Sequence, residues 1–175
     1  MNVFFDVDYT ILSVDNGLRP GTREVFARLV GDGHRVYVWS GEGVRWNEVR
    51  EHQLEPYVSD VFEKPTSNYH GRLAELGVTV MPDFVVDDYP EIVDAFGGFH
   101  VKEFFRKRYP DDEMYSVYDT ITEFVQHGTS AHRSFRPARP GHLPDGAAGF
   151  HGATGFHGAA GRNGAAGCNG AEAAT

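Results

Sequence analysis

Two carboxylates stand two residues apart at the end of an apolar run, Val3-Phe4-Phe5-Asp6-Val7-Asp8. Alternation along a strand puts residues i and i+2 on one side, so Asp6 and Asp8 start out as neighbours. Like charges that close repel unless a cation or a shared proton lies between them. A turn after a strand also favours Asp, which is the plainer account of the pair taken alone. Other polar residues stand in the same relation to other apolar runs. Arg35-Val36-Tyr37-Val38-Trp39 ends at Ser40-Gly41, Val61-Phe62-Glu63 at Lys64-Pro65, and Asp83-Phe84-Val85-Val86 at Asp87-Asp88. Singly, Ser40 reads as a helix cap, Lys64 as a solvated lysine and Asp87-Asp88 as a turn before Pro90. Jointly they are several acids, one hydroxyl and one cation.

What brings them together is the order of the elements. Asn16-Gly17 suggests a tight hairpin turn. Pro20 and Thr22 introduce a helix with Val25, Phe26, Leu29 and Val30 on one face, stopped by Gly31 to Gly33. The spacing predicts further helices over Val44 to Leu54, Tyr69 to Leu76 and Glu91 to Phe96, and a weaker fifth strand at Phe99-His100-Val101. The strongest helix follows Pro110-Asp111-Asp112, with Met114, Val117, Tyr118, Ile121, Phe124 and Val125 at helical spacing, and stops at Gly128. Strands alternating with helices predict a mostly parallel five-stranded sheet covered on both faces, a Rossmann-like three-layer α/β sandwich. Ligands bind beyond the carboxyl ends of such strands. Those ends carry the residues above.

The chemistry that suits them is phosphoryl transfer assisted by Mg²⁺. Magnesium takes hard oxygen ligands and keeps several waters, so two carboxylates and a carbonyl suffice. Ser40 and the Gly41 N–H are candidates to hold phosphoryl oxygens, with Lys64 offsetting their charge. One carboxylate can attack phosphorus while a second serves as acid and base.

D-x-D-x-T after a strand, then Ser, Lys-Pro and Asp-Asp in that order, resembles the phosphatases of the haloacid dehalogenase superfamily over roughly residues 2–105. The resemblance implies that Asp6 is the nucleophile that becomes an aspartyl-phosphate, and that Asp8 is the acid and base. It implies Mg²⁺ held by Asp6, the Asp8 carbonyl and Asp87, supported by Asp88 and Glu91. It gives Lys64 a catalytic place and adds Thr10 to Ser40 and Gly41 as phosphate-binding residues. Asp87 is favoured over Asp88 as the direct ligand, because Glu91 then falls where the family places another acid. The family's first motif often has Gly at the position of Tyr9, but the Asp-Tyr-Thr form resembles its small magnesium-dependent phosphatases. No cap domain fits in the short gaps after the first motif or after Lys64. An uncapped site suits a large or protruding phosphate ester, or cover from a neighbouring subunit in a homo-oligomer.

Two rivals differ in kind. A receiver domain gathers similar residues, but its lysine follows its acidic pair in the chain, whereas Lys64 precedes Asp87. A catalytically weak phosphate-binding or adaptor protein on the same fold is the second.

The chain has 175 residues, enough for one domain with a real core, and a net charge of −9. From residue 128 onward only Arg133, Arg136, Arg139 and Arg162 oppose Asp145 and Glu172, so residues 1–127 hold 12 basic and 23 acidic groups. Such an acidic body repels a polyanion, which argues against general nucleic-acid binding. The single cysteine, Cys168, excludes an intramolecular disulfide and a cysteine metal cluster. An apolar strand that starts almost at Met1, and the lack of any long apolar run, lead to the expectation of a cytoplasmic protein without a membrane span. From Gly146 a Gly/Ala-rich unit repeats every six residues, GAAGFH, GATGFH, GAAGRN, GAAGCN. Gly and Ala bury little and lose much entropy on ordering, so 129–175 reads as a disordered low-complexity tail after a 1–128 hydrolase domain.

Overall fold

The computed structural model describes residues 1–106 and 110–139. It is a mixed α/β structure whose elements are β1 (Asn2–Asp6), α1 (Thr22–Gly31), β2 (Arg35–Ser40), α2 (Trp46–Glu51), β3 (Val58–Glu63), β4 (Phe84–Asp87), α3 (Pro90–Phe96), β5 (Gly98–His100), α4 (Glu113–His127) and β6 (Phe135–Arg136). The strands form one sheet in the order β3-β2-β1-β4-β5-β6. All neighbours are parallel except β5 and β6.

Strand β1 lies at the centre because it is apolar on both faces, with Val3, Phe4 and Phe5 all fully buried. Alternation then sorts side chains between two cores. Val3, Phe5, Val36, Val38, Phe84 and Val86 pack under α1 and α4, through Phe26, Leu29, Met114, Val117 and Ile121. Phe4, Tyr37, Trp39 and Val85 pack on the opposite face against Ile92, Ala95 and Phe96 of α3 and against Leu73 and Val78. Register brings the carboxyl ends level: Asp6 pairs with Trp39, Ser40 with Glu63, and Asp87 with His100.

Two expectations need correction. The sheet has six strands, and the sixth lies in residues that composition assigns to the tail. Phe99 pairs with Phe135 and Gly98 with Arg136, the His100 N–H donates to the Ser134 carbonyl at 2.8 Å and the Arg139 N–H to the Asp94 carbonyl at 2.9 Å. Phe135 also stacks on Phe84 at 6.3 Å, so the edge of β5 is covered rather than open. The disordered-tail expectation for 140–175 lies outside the described residues.

The second correction concerns Tyr69 to Leu76, which forms a succession of turns instead of a helix. The Arg72 N–H donates to Asn68 four residues back, but the Gly77 N–H donates to Ala74 only three back. Asn68 has a positive φ of 45° and Gly71 interrupts the run, so no continuous ladder forms. The other helices and strands stand where the periodicity puts them, and α2 is shorter than Val44 to Leu54. Among the described residues, no helix is long and apolar enough to cross a membrane.

Candidate active site at the carboxyl edge of the sheet

The strand ends bring the candidate residues to one place. Asp6 is the last residue of β1, and Lys64 follows β3. The Lys64 Nζ donates to Asp6 Oδ1 at 2.5 Å and to Asp87 Oδ2 at 2.9 Å. Asp87 ends β4 fully buried, and its second oxygen accepts the Tyr89 N–H at 2.9 Å. Carboxylate oxygens of Asp6, Asp87 and Asp88 lie within 4.8 Å of one another. Three carboxylates thus converge where one ammonium bonds two of them.

That imbalance shows in the titration of the groups. Burial pushes the Asp6 carboxyl well above the usual carboxylate range, and Asp87 pushes it further, against the pull of Lys64. Burial likewise raises Asp87 to about 6, although Lys64 and the Tyr89 N–H act to lower it. Asp88 is raised by the same cause. Burial works to lower the Lys64 pKa, but the attraction of Asp6 and Asp87 outweighs it and holds the ammonium above its ordinary value. A cluster of hard oxygen donors with excess negative charge fits a divalent cation.

Asp8 is arranged differently. Its carboxylate accepts the Ser40 hydroxyl at 2.8 Å on one oxygen and an Arg45 Nη2–H at 3.0 Å on the other. It is outside the converging group of three, and the resemblance calls only for its backbone carbonyl at the metal. Asp6, Asp8, Gly41, Lys64 and Asp88 line an open cavity of about 530 Å³, whose walls include Tyr9, Glu42, Thr66, Tyr69, Tyr89 and Glu91.

Two of the expected phosphate ligands are not on that wall. Ser40 and Thr10 are fully buried, and neither hydroxyl lines the cavity. Ser40 Oγ serves Asp8 and accepts the Glu42 N–H at 3.1 Å, while Thr10 Oγ1 donates to Asp88 at 3.3 Å. In this structure both hydroxyls orient carboxylates, and Gly41 is the member of the set that faces the cavity. Glu91 stands on the rim, apart from the three converging acids.

Sequence reasoning missed two arginines. Arg45 reaches Asp8 across 37 residues of chain. Arg19, buried, donates to the Thr10 carbonyl at 2.9 Å and the Lys102 carbonyl at 2.8 Å, and pairs with Asp111 at 3.2 Å. It pins the loop that follows Asp8 through the Thr10 carbonyl. Its position two residues after Asn16-Gly17 carried no periodic signal, and a buried arginine is rare enough that none would be assumed.

The fold and this edge define an α/β protein with a cluster of three acids and one lysine at its strand ends. Comparison with protein-family models, with curated proteins and with solved structures returns no match.

Proposed function

We propose that the chain is a Mg²⁺-dependent phosphomonoesterase of the haloacid dehalogenase type, acting through an aspartyl-phosphate on Asp6. The observation that carries this reading is the convergence of Asp6, Asp87 and Asp88, the first two bonded to Lys64, beside an open cavity at the strand ends that Asp6, Lys64 and Asp88 line. Asp6, Asp87 and Asp88, with the Asp8 carbonyl, are the residues to hold Mg²⁺. The ion, when bound, supplies charge neutralisation that lets a phosphate dianion approach the acids.

Within that frame the chain's own residues divide the work. Lys64 fixes the Asp6 carboxylate and balances the incoming phosphoryl charge. An Asp6 oxygen attacks phosphorus, the P–O bond to the leaving group breaks, and Asp8 gives its proton to the departing oxygen. Asp8 then takes a proton from a water that attacks the acyl-phosphate, releasing inorganic phosphate and restoring Asp6. Ser40 and Arg45 hold the Asp8 carboxylate in one orientation through both steps. Gly41 offers its N–H to the phosphoryl oxygens.

The test is steady turnover of p-nitrophenyl phosphate in Mg²⁺ by the full chain, and its loss in Asp6→Asn. Saturable binding of phosphate without turnover would replace this reading with that of an adaptor on the same fold.

A further inference from the structure

Tyr9 has a backbone φ of +58°, a conformation that bulky residues adopt at a cost and glycine adopts freely. It is fixed there at both ends, with its N–H donating to Leu12 at 2.8 Å and its carbonyl accepting the Phe104 N–H at 2.6 Å. The ring belongs to neither apolar cluster among the described residues. The residue lines the cavity, and its ring lies parallel to Phe105, with centroids 5.9 Å apart and planes 7° apart. Phe105 is itself half exposed. A large ring is therefore held in a strained position where it contributes little to the core and borders the ligand space. Strain retained at a cavity points to function.

A second ring borders the same space. Tyr89 is 61% exposed, lines the cavity, and lies with its centroid 5.7 Å from Lys64 Nζ. It stands next to the ammonium that would meet the phosphoryl group, where the leaving group must also be. Around both rings the charge is negative: Glu42 and Glu91 join the acids on the wall, with Lys64 as the opposing cation there among the described residues.

We propose that Tyr9 and Tyr89 seat the leaving group, and that the site takes phosphate monoesters of planar alcohols or phenols that carry no negative charge. The inference rests on the phosphatase reading and names its substrate class. Flat rings gain from aromatic walls beyond their buried area. Leaving groups with a carboxylate or a second phosphate add negative charge to a wall that already carries Glu42 and Glu91, and like charges repel.

The test is calorimetric binding of three non-hydrolysable probes to the full chain in Mg²⁺: phenylphosphonate, methylphosphonate and 4-carboxyphenylphosphonate. Phenylphosphonate is expected to bind about tenfold more tightly than methylphosphonate. The carboxylated ring is expected to bind several-fold more weakly than the plain one. That gap should close in high salt and in a Glu42→Gln/Glu91→Gln double variant. Tyr9→Gly should hold or raise the melting temperature while erasing the preference for the ring. Equal affinity for all three probes, no binding of any, or a marked loss of stability in Tyr9→Gly overturns the inference. Turnover of p-nitrophenyl phosphate in the same samples reports on hydrolysis separately. Selective phosphonate binding without turnover would remove the hydrolase reading and leave the aromatic seat standing.

Discussion

Replacing Asp87 by Asn isolates the electrostatic cost of assembling the site. The Asp87 carboxyl, at 3.8 in the unfolded chain, stands at about 6 in the fold because burial penalises its charge more than Lys64 and the Tyr89 N–H favour it. Between those values the folded state holds a proton that the unfolded state has released. The contribution of Asp87 to metal-free stability is therefore fullest below about pH 4 and is lost as pH rises to about 6. The gap corresponds to about 3 kcal/mol for this one group. In a domain of this size that is a fall of roughly 6–12 °C in melting temperature. Asp87→Asn removes the titration, and it relieves Asp6, whose carboxyl Asp87 also pushes up. The amide sets an N–H against the Lys64 ammonium, but that cost does not vary with pH, so the slope is the readout. The assay is thermal unfolding of wild type and variant from pH 4 to 8 in chelator, then in Mg²⁺. The difference between the two proteins should move steadily in the variant's favour as pH rises, and Mg²⁺ should restore wild type far more than the variant. A difference that stays flat across this range would refute the burial penalty.

Three further outcomes follow from the same geometry. Under the proposed phosphatase reaction, Asp8→Asn keeps the nucleophile but lacks the proton donor and base. With p-nitrophenyl phosphate it should give a burst of nitrophenol and then turnover about 10²–10⁴ slower than wild type, with phosphate trapped on Asp6; a burst from Asp6→Asn instead would reverse the two roles. Cutting the chain after residue 128 removes β6, its Phe135 contacts and the Arg136 and Arg139 pairs with Asp94, and should cost about 2–4 kcal/mol of stability by urea unfolding, whereas a cut after residue 139 should leave the described fold's contacts in place and the midpoint unchanged. Arg19→Met leaves the Thr10 and Lys102 carbonyls and Asp111 without their shared donor and should destabilise by about 3 kcal/mol or more, with unfolding midpoints unchanged if the pairing is only a surface contact.

The strand ends were legible because each apolar run is short and has a clear stop. Asp6, Lys64 and Asp87 needed only the rule that parallel strands share a direction. Ser40 and Thr10 were legible as site residues but not as partners of carboxylates, since which oxygen a hydroxyl meets depends on side-chain geometry. Arg45 lies just before α2 and meets Asp8 only after the chain has wound over the sheet, so spacing said nothing of it. Strand β6 is two residues long, Phe135–Arg136, in a stretch rich in Ser, Arg and Pro. No alternation can be read from two residues, and its existence depends on the open edge of β5. The turns at 69–77 failed for the opposite reason: Leu73 and Leu76 have helical spacing, but local backbone preference at Asn68 and Gly71 prevails over it.

The central place of β1 has a consequence for a chain still being made. Strand β1 is made before both of the strands it pairs with, β2 and β4, and β4 emerges some way after β2 and β3 are complete. A nascent chain ending near residue 80 can dock β1, β2 and β3, and within it Asp6 and Lys64 form a pair of no net charge. The acidic excess of the Asp6–Lys64 cluster comes only with Asp87 and Asp88. Until then one edge of β1, carrying Val3 and Phe5, offers free backbone donors and acceptors to any other extended chain. The half-made protein is thus electrically quieter than the finished one and more adhesive. The arrival of Phe84–Asp87 closes that edge and brings a second buried carboxylate to Lys64 in a single event.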